Sequence, residues 1–248
     1  MPAHPKTPTD AQLRKTILDA CRILDHYRLV HGYGHVSARC ASGETILITP
    51  RKALLLVRSP REIVKIALEG NVTCAPSPKA GKKGIQSQTL SPVEFYLHTE
   101  IYRARPDVKA ICRTHGVFAL TLSVLGRKLG CVHELAVRVG REVPLYDSAE
   151  LIATAEEGRR ATRALGEGRA LLLRGNGAVT VGDSVEEAVV NAIHMETSAE
   201  VQWRASCIDE PVWIAGDEQS GEYAKLARRE YEAVRRPWEY YLAKSRGK

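Results

Sequence analysis

No apolar run in this 248-residue chain exceeds the five positions of Ala53–Val57, far short of the ~18–20 residues needed to cross a bilayer. No membrane span is expected. Residues Met1 to Asp10 are rich in Pro and Thr and hold no apolar segment, so they do not read as a secretory signal, and the expected location is the cytoplasm. The six cysteines (Cys21, Cys40, Cys74, Cys112, Cys131, Cys207) form no C-x-x-C pair; they read as reduced, mostly buried thiols. Aromatics are sparse, at 6% with only two Phe, and no stretch interleaves them with basic residues. The net charge of +7, from Lys+Arg 36 against Asp+Glu 29, therefore reads as solvated surface and not as a nucleic-acid interface. Its excess lies in Lys79–Lys83 and in the tail after Arg228. Several common chemistries are missing too. There is no G-x-G-x-x-G after a strand, no G-x-x-x-x-G-K-[ST] phosphate loop, no H-E-x-x-H and no G-x-S-x-G.

What is present supports a folded enzyme-sized chain, since 44% hydrophobic residues over this length supply a sizeable core. Thr9 and Gln12 have capping-box spacing, and Leu13, Ile17, Cys21 and Leu24 recur at helical intervals after them. Strands follow over His35 to Cys40 and Thr45 to Thr49, with Ser42-Gly43 as the turn. The Pro-, Gly- and Lys-rich stretch Ala75 to Gln88 reads as a mobile loop. Ser91-Pro92-Val93-Glu94 reads as a capped helix start, and Arg105-Pro106-Asp107 as that helix's end. Val108 to His115 reads as a strand with Arg113 and His115 on one face. A helix over Val117 to Leu125 is next, then two strands joined at Gly175-Asn176-Gly177, then a long helix opened by Ser184 and Glu187. Helices and strands intermix without a repeat, so one α/β domain over 10–210 is expected, with a flexible tail at 1–9 and a basic, aromatic extension at 211–248.

The segments GHVSAR (34–39), ILITPR (46–51), the helix from Ser91 with RPDVKAICRTH (105–115), and LLLRGNGAVTVG (171–182) followed by Ser184 to Ala188 stand in one order. Together they resemble the class II aldolase/adducin family over roughly residues 10 to 210. The resemblance implies a sandwich with a central mixed sheet between helical layers, assembled as a homotetramer. It further implies, for active members, a divalent metal (zinc, manganese or iron) held by two histidines of an H-x-H strand and one of an L-L-x-x-H-G turn, with a glutamate at a helix start. Carried over, the glutamate is Glu94 and the second strand histidine is His115, whereas Arg113 replaces the first and Asn176 replaces the turn histidine.

An arginine that stays protonated cannot be a metal ligand, so the usual metal site is expected to be absent, with rescue by His35 or His133 as the alternative. The chain then reads as a carbon–carbon lyase, a decarboxylase or aldolase, in which Arg113 stands in for the metal and Glu94 with His115 moves protons. His35, Ser37, Arg39, Arg51 and Asn176 would hold a small anionic, carboxylate-bearing substrate, and His98 reads as structural. GHVSAR and the arginine of ITPR look more like the aromatic-acid decarboxylase branch than the sugar-phosphate aldolases. On this reading Arg113→Ala spares the fold. The alternative is a non-catalytic, adducin-like member that has lost its metal site.

Overall fold

The computed structural model describes residues 7–69, 72–74, 91–214 and 231–247; the loop expected at 75–88 lies outside them. The elements run α1 (Asp10–His26), β1 (His35–Arg39), β2 (Thr45–Ile48), β3 (Val64–Ala67), β4 (Val72–Cys74), α2 (Phe95–Ala104), β5 (Ala110–Thr114) and α3 (Val117–Val124). After these come β6 (Leu129–Gly130), β7 (Glu142–Val143), β8 (Leu145–Tyr146), α4 (Ala155–Leu165), β9 (Ala170–Leu173), β10 (Gly177–Gly182), α5 (Val185–Ser206) and α6 (Arg236–Ser245). Among the described residues no helix is long and apolar enough to cross a membrane.

One eight-stranded sheet, in the order β4-β3-β2-β1-β5-β10-β9-β8, forms the middle layer. Its pairs are antiparallel except β8 with β9, which makes it mixed. The two-residue side-chain period sorts the strands between two apolar clusters. Ala110 and Cys112 of β5 join Val36 and Ala38 of β1 beneath α1 and α5. Ile111 joins Ile46, Ile48 and Val179 beneath α2 and α4. Helices cover both faces, and the expected sandwich is the fold.

The capping box of Thr9 and Gln12 is formed, and Leu13, Ile17, Cys21 and Leu24 are buried. Two expectations need correction. The helix after Ser91 does not begin at Pro92, because residues 93–94 form a turn and the helix starts at Phe95. Glu94 is therefore not a capping-box partner inside the first turn; its carboxylate points to Asn176 and Arg113. The aromatic extension packs back on the first helix. Trp238 of α6 is buried in the cluster beneath α1, and Tyr241 meets Tyr27 edge-on at 5.0 Å. Of the α6 aromatics Trp238, Tyr240 and Tyr241, only Tyr240 is exposed.

Candidate active site

β1 begins, and β2, β5 and β9 end, at one end of the sheet, where the turn into β10 also lies. Arg113 sits there, directly across from His35 in the β1–β5 register and on the sheet face covered by α2. Its side chain is 0% exposed. Nη2 lies 3.3 Å from Glu94 Oε2, while Nη1 donates to the Thr114 carbonyl at 2.7 Å and lies 3.5 Å from His115 Nδ1. Asn176 Nδ2 donates to Glu94 Oε1 at 3.2 Å, and the Asn176 side chain also bonds His115. Arg113, Glu94, His115 and Asn176 thus form one contiguous cluster.

Two glycines let the backbone close around it. Gly177 has φ +80, and a Cβ there would lie 2.2 Å from the Thr114 carbonyl oxygen. Gly34 has φ +132, and a Cβ there would meet Val30 at 2.5 Å and the Arg113 carbonyl at 3.1 Å. A side chain at either position would push β1 or β10 away from the end of β5.

A cavity of about 270 Å³ opens onto this cluster, lined by Tyr33, His35, Arg51, Glu94 and Leu151 among others. Arg51 is exposed at its rim. A larger cavity, about 1110 Å³, lies beside β6, β7 and the end of α5 and holds none of the expected site residues. The smaller one is lined by three of the expected site residues, His35, Arg51 and Glu94.

Three expected residues lie elsewhere. The Arg39 guanidinium donates to the carbonyls of Gly43, Tyr102, Arg105 and Val108 and lies 4.7 Å above the Tyr102 ring. It ties the end of α2 to the β1–β2 hairpin, with four of its five N–H donors taken by backbone carbonyls. Ser37 is fully buried, its hydroxyl bonded to His98 Nδ1 (2.7 Å) and the Tyr102 hydroxyl (2.9 Å). His133 is not near Arg113, because its Nδ1 accepts from the Leu135 N–H in a 3-10 turn packed beside α5, on the opposite face of the sheet.

Sequence reasoning treated His98 as structural and passed over Tyr102. The signal was there: Glu94, His98 and Tyr102 recur every four residues, one stripe of a helix, and Ser37 shares a strand face with His35.

Burial, with the Arg113 charge second, pushes His98 down to about 3 and His115 down to about 4. His35 is held well below the usual histidine range by burial and then by His98, Arg113 and His115. All three rings are neutral at pH 7.

A divalent ion does not fit this donor set. The positive guanidinium stands between Glu94 and His115, the two ligands that remain, and would repel a cation placed there. Among the described residues no group of three or more His, Cys, Asp or Glu side chains is placed to hold a metal. His35 does not complete such a set, since it faces the same guanidinium.

The family described as Class II Aldolase and Adducin N-terminal domain matches residues 15–203. The chain is 33% identical over 201 residues to the 3,4-dihydroxyphthalate decarboxylase of Arthrobacter keyseri, covering 77% of each chain. It is 30% identical over 207 residues to the 5-methylthioribulose-1-phosphate/5-deoxyribulose-1-phosphate aldolase of Rhodospirillum rubrum, covering 83% of this chain and 87% of that one. In fold it is similar to an aldolase II superfamily protein from Pseudomonas syringae, with a TM-score of 0.80, 21% identity, and coverage of 97% of this chain and 94% of that one. With the motif order, the sandwich and the match across 15–203 in agreement, this chain belongs to the class II aldolase and adducin family.

Proposed function

We propose that this protein is a lyase that breaks a carbon–carbon bond in a small, carboxylate-bearing anion, and that it does so without a metal. One observation carries the reading: a fully buried guanidinium bridges Glu94 and His115, the position at which the family resemblance implies a divalent cation. In either decarboxylation or retro-aldol cleavage the electron pair of the broken bond stays with one carbon and is delocalised onto an oxygen. A fixed cation in a dry site stabilises that oxygen, because no solvent must reorganise as the charge grows. Glu94, which lines the cavity, takes the proton of the substrate hydroxyl whose oxygen receives the charge and delivers it to the carbon that keeps the electron pair. His115, neutral at working pH, orients the guanidinium and Asn176. Arg51, exposed at the rim, draws the anion toward the cavity. The similarity to a decarboxylase at 33% identity favours decarboxylation over aldol cleavage.

The test is a panel of hydroxylated aromatic carboxylates and ketose 1-phosphates, followed by NMR for carbon dioxide release or aldehyde formation. Turnover of one class is expected, with Glu94→Gln lowering kcat by about 10²–10⁴-fold, the usual weight of a positioned proton carrier. An unchanged Glu94→Gln rate would remove Glu94 from the mechanism. A pocket retired from chemistry, as in a non-catalytic relative, would turn over no member of the panel.

Metal independence is checked separately. Purified protein is expected to carry well under one equivalent of zinc, manganese or iron and to keep its rate in chelator. Stoichiometric metal surviving dialysis, or activity that returns only on adding metal, would contradict it.

We also propose a homotetramer, on the strength of family membership and of the exposed apolar side chains Val117, Val124 and Leu125 on and just after α3. Light scattering is expected to give about four times the 27.3 kDa of one chain; a monomer mass at micromolar concentration would refute it.

A further inference from the structure

Three polar side chains, of which His35 lines the cavity, hold nitrogens with no hydrogen-bond partner among the described residues: Arg113 Nε, His98 Nε2 and His35 Nδ1; Arg113 Nη2 has only the Glu94 carboxylate, 3.3 Å away. Each of these atoms is buried, and Arg113 and His98 are 0% exposed as whole residues. A buried donor without an acceptor costs about 1–3 kcal/mol, so this many in one place point to a missing partner.

Their arrangement identifies its chemistry. His35 and Arg113 are cross-strand neighbours on one sheet face, and the His98 ring lies over them, 5.6 Å from the His35 ring between centroids. His98 Nδ1 is turned to Ser37, two residues further along β1, so Nε2 on the other side of the ring faces the His35 and Arg113 end.

The proton on His98 can also be placed. The buried Tyr102 hydroxyl has the Ser37 oxygen as its partner and donates to it, at 2.9 Å. The Ser37 hydroxyl then donates to His98 Nδ1, at 2.7 Å. The reverse arrangement, with Nδ1–H donating to the Ser37 oxygen, would leave either the Ser37 or the Tyr102 proton buried without an acceptor among the described residues. The proton therefore sits on Nε2.

Arg113 Nε–H, with the one Nη2–H that Glu94 does not engage, forms the side-on fork of the guanidinium, which matches the two oxygens of a carboxylate. We infer that Arg113, His98 and His35 form an inner subsite for a planar carboxylate, with Ser37 and Tyr102 as positioning residues that lock the His98 ring as an Nε2–H donor. His35 both lines the cavity and belongs to the cluster, and so joins the subsite to it. His98 is thereby a substrate-binding residue, and its neutral ring adds a donor without adding charge. The inference deepens the reading of the cavity as the substrate site.

The test measures binding and not turnover, using the full chain, benzoate as the probe and benzamide as the uncharged control. With 15N-labelled histidine, NMR is expected to show His98 as the Nε2–H tautomer. Benzoate should move that proton's resonance downfield, and benzamide should leave it in place. Tyr102→Phe and Ser37→Ala are expected to release the tautomer, and His98→Ala to weaken benzoate binding about 10–100-fold, the loss of one hydrogen bond to a charged group. An Nδ1–H tautomer, or a resonance that benzoate does not move, would overturn the subsite in the wild-type protein alone, whatever the variants do. So would benzoate binding lost in Arg51→Ala and unaffected in His98→Ala, which would place the anion at the rim. A protein that takes benzoate onto His98 yet cleaves nothing in the panel keeps the subsite and loses the lyase reading; turnover without benzoate on His98 does the opposite.

Discussion

Arg113→Ala is expected to lower the unfolding free energy by about 3–5 kcal/mol, because it leaves the Glu94 carboxylate buried without its cation. The sequence alone leads to the opposite expectation, of a fold left intact. The difference is the burial: Arg113 has no exposure and Glu94 only 5%, so neither charge can turn to water once its partner is gone. Activity lost in this variant is consequently not diagnostic. Two further variants separate fold from chemistry. Arg113→Lys keeps a positive charge opposite Glu94 and retains most of the stability, but a flexible ammonium cannot reproduce a planar fork, so little activity returns. Arg113→Met with Glu94→Gln removes both charges, and a buried pair exchanged for uncharged groups of similar volume is often neutral. That double variant should unfold near the wild-type urea midpoint and remain inactive. Arg113→Ala with wild-type stability in urea would show that the ion pair is not as buried as described.

The second large effect is acid lability beginning near pH 6.5. His98, pushed down to about 3, and His194 on α5, pushed down to about 4, are 0% and 3% exposed and are neutral in the folded protein. In the unfolded chain both take up a proton near the ordinary value of about 6.5. Below that pH the unfolded state binds more protons, so stability falls with falling pH, down to the folded values of about 3 and 4. By pH 4.5 each ring has removed roughly 2–3 kcal/mol, and the two together approach the ~5–15 kcal/mol total of an ordinary domain. Asp183 and Glu196 act in the opposite direction, since burial pushes their carboxyls up and the folded state gains protons there on acidification. The histidines are more deeply buried and dominate. Circular dichroism against pH should show cooperative unfolding between about pH 4 and 5, and urea midpoints should already decline below pH 6.5. A midpoint constant from pH 7 to 4.5 would contradict the buried neutral rings.

Much of this architecture was legible because it is written locally. The Thr9–Gln12 box, the turn at Gly43, the Gly175-Asn176-Gly177 reversal and the Ser184 cap are short-range chemistry, and each appears where the residues placed it. Glu94, Arg113, His115 and Asn176 were found through motif order, and the fold brings those four together. What failed was competition over distance. Ser91 and Glu94 have capping-box spacing, yet a guanidinium from β5 and an amide from the β9–β10 turn hold the carboxylate instead. Arg39 and Arg51 look alike in sequence; only the meeting of the β1–β2 hairpin with the end of α2 supplies the carbonyls that occupy one and leave the other at the rim. His98 reads as structural in sequence because its partner Ser37 lies sixty-one residues away.

The packing of α6 on α1 also sets an order of events during synthesis. Arg246 reaches Asp19 at 2.9 Å across 227 residues of chain, and Trp238 completes the cluster that begins at Leu13. α1 leaves the ribosome before the segment 231–247 and therefore holds part of its apolar stripe without a partner until that segment has followed it out. A nascent chain of this protein exposes that part of the stripe until the last helix is made, the interval in which a chaperone that binds apolar segments has something to hold.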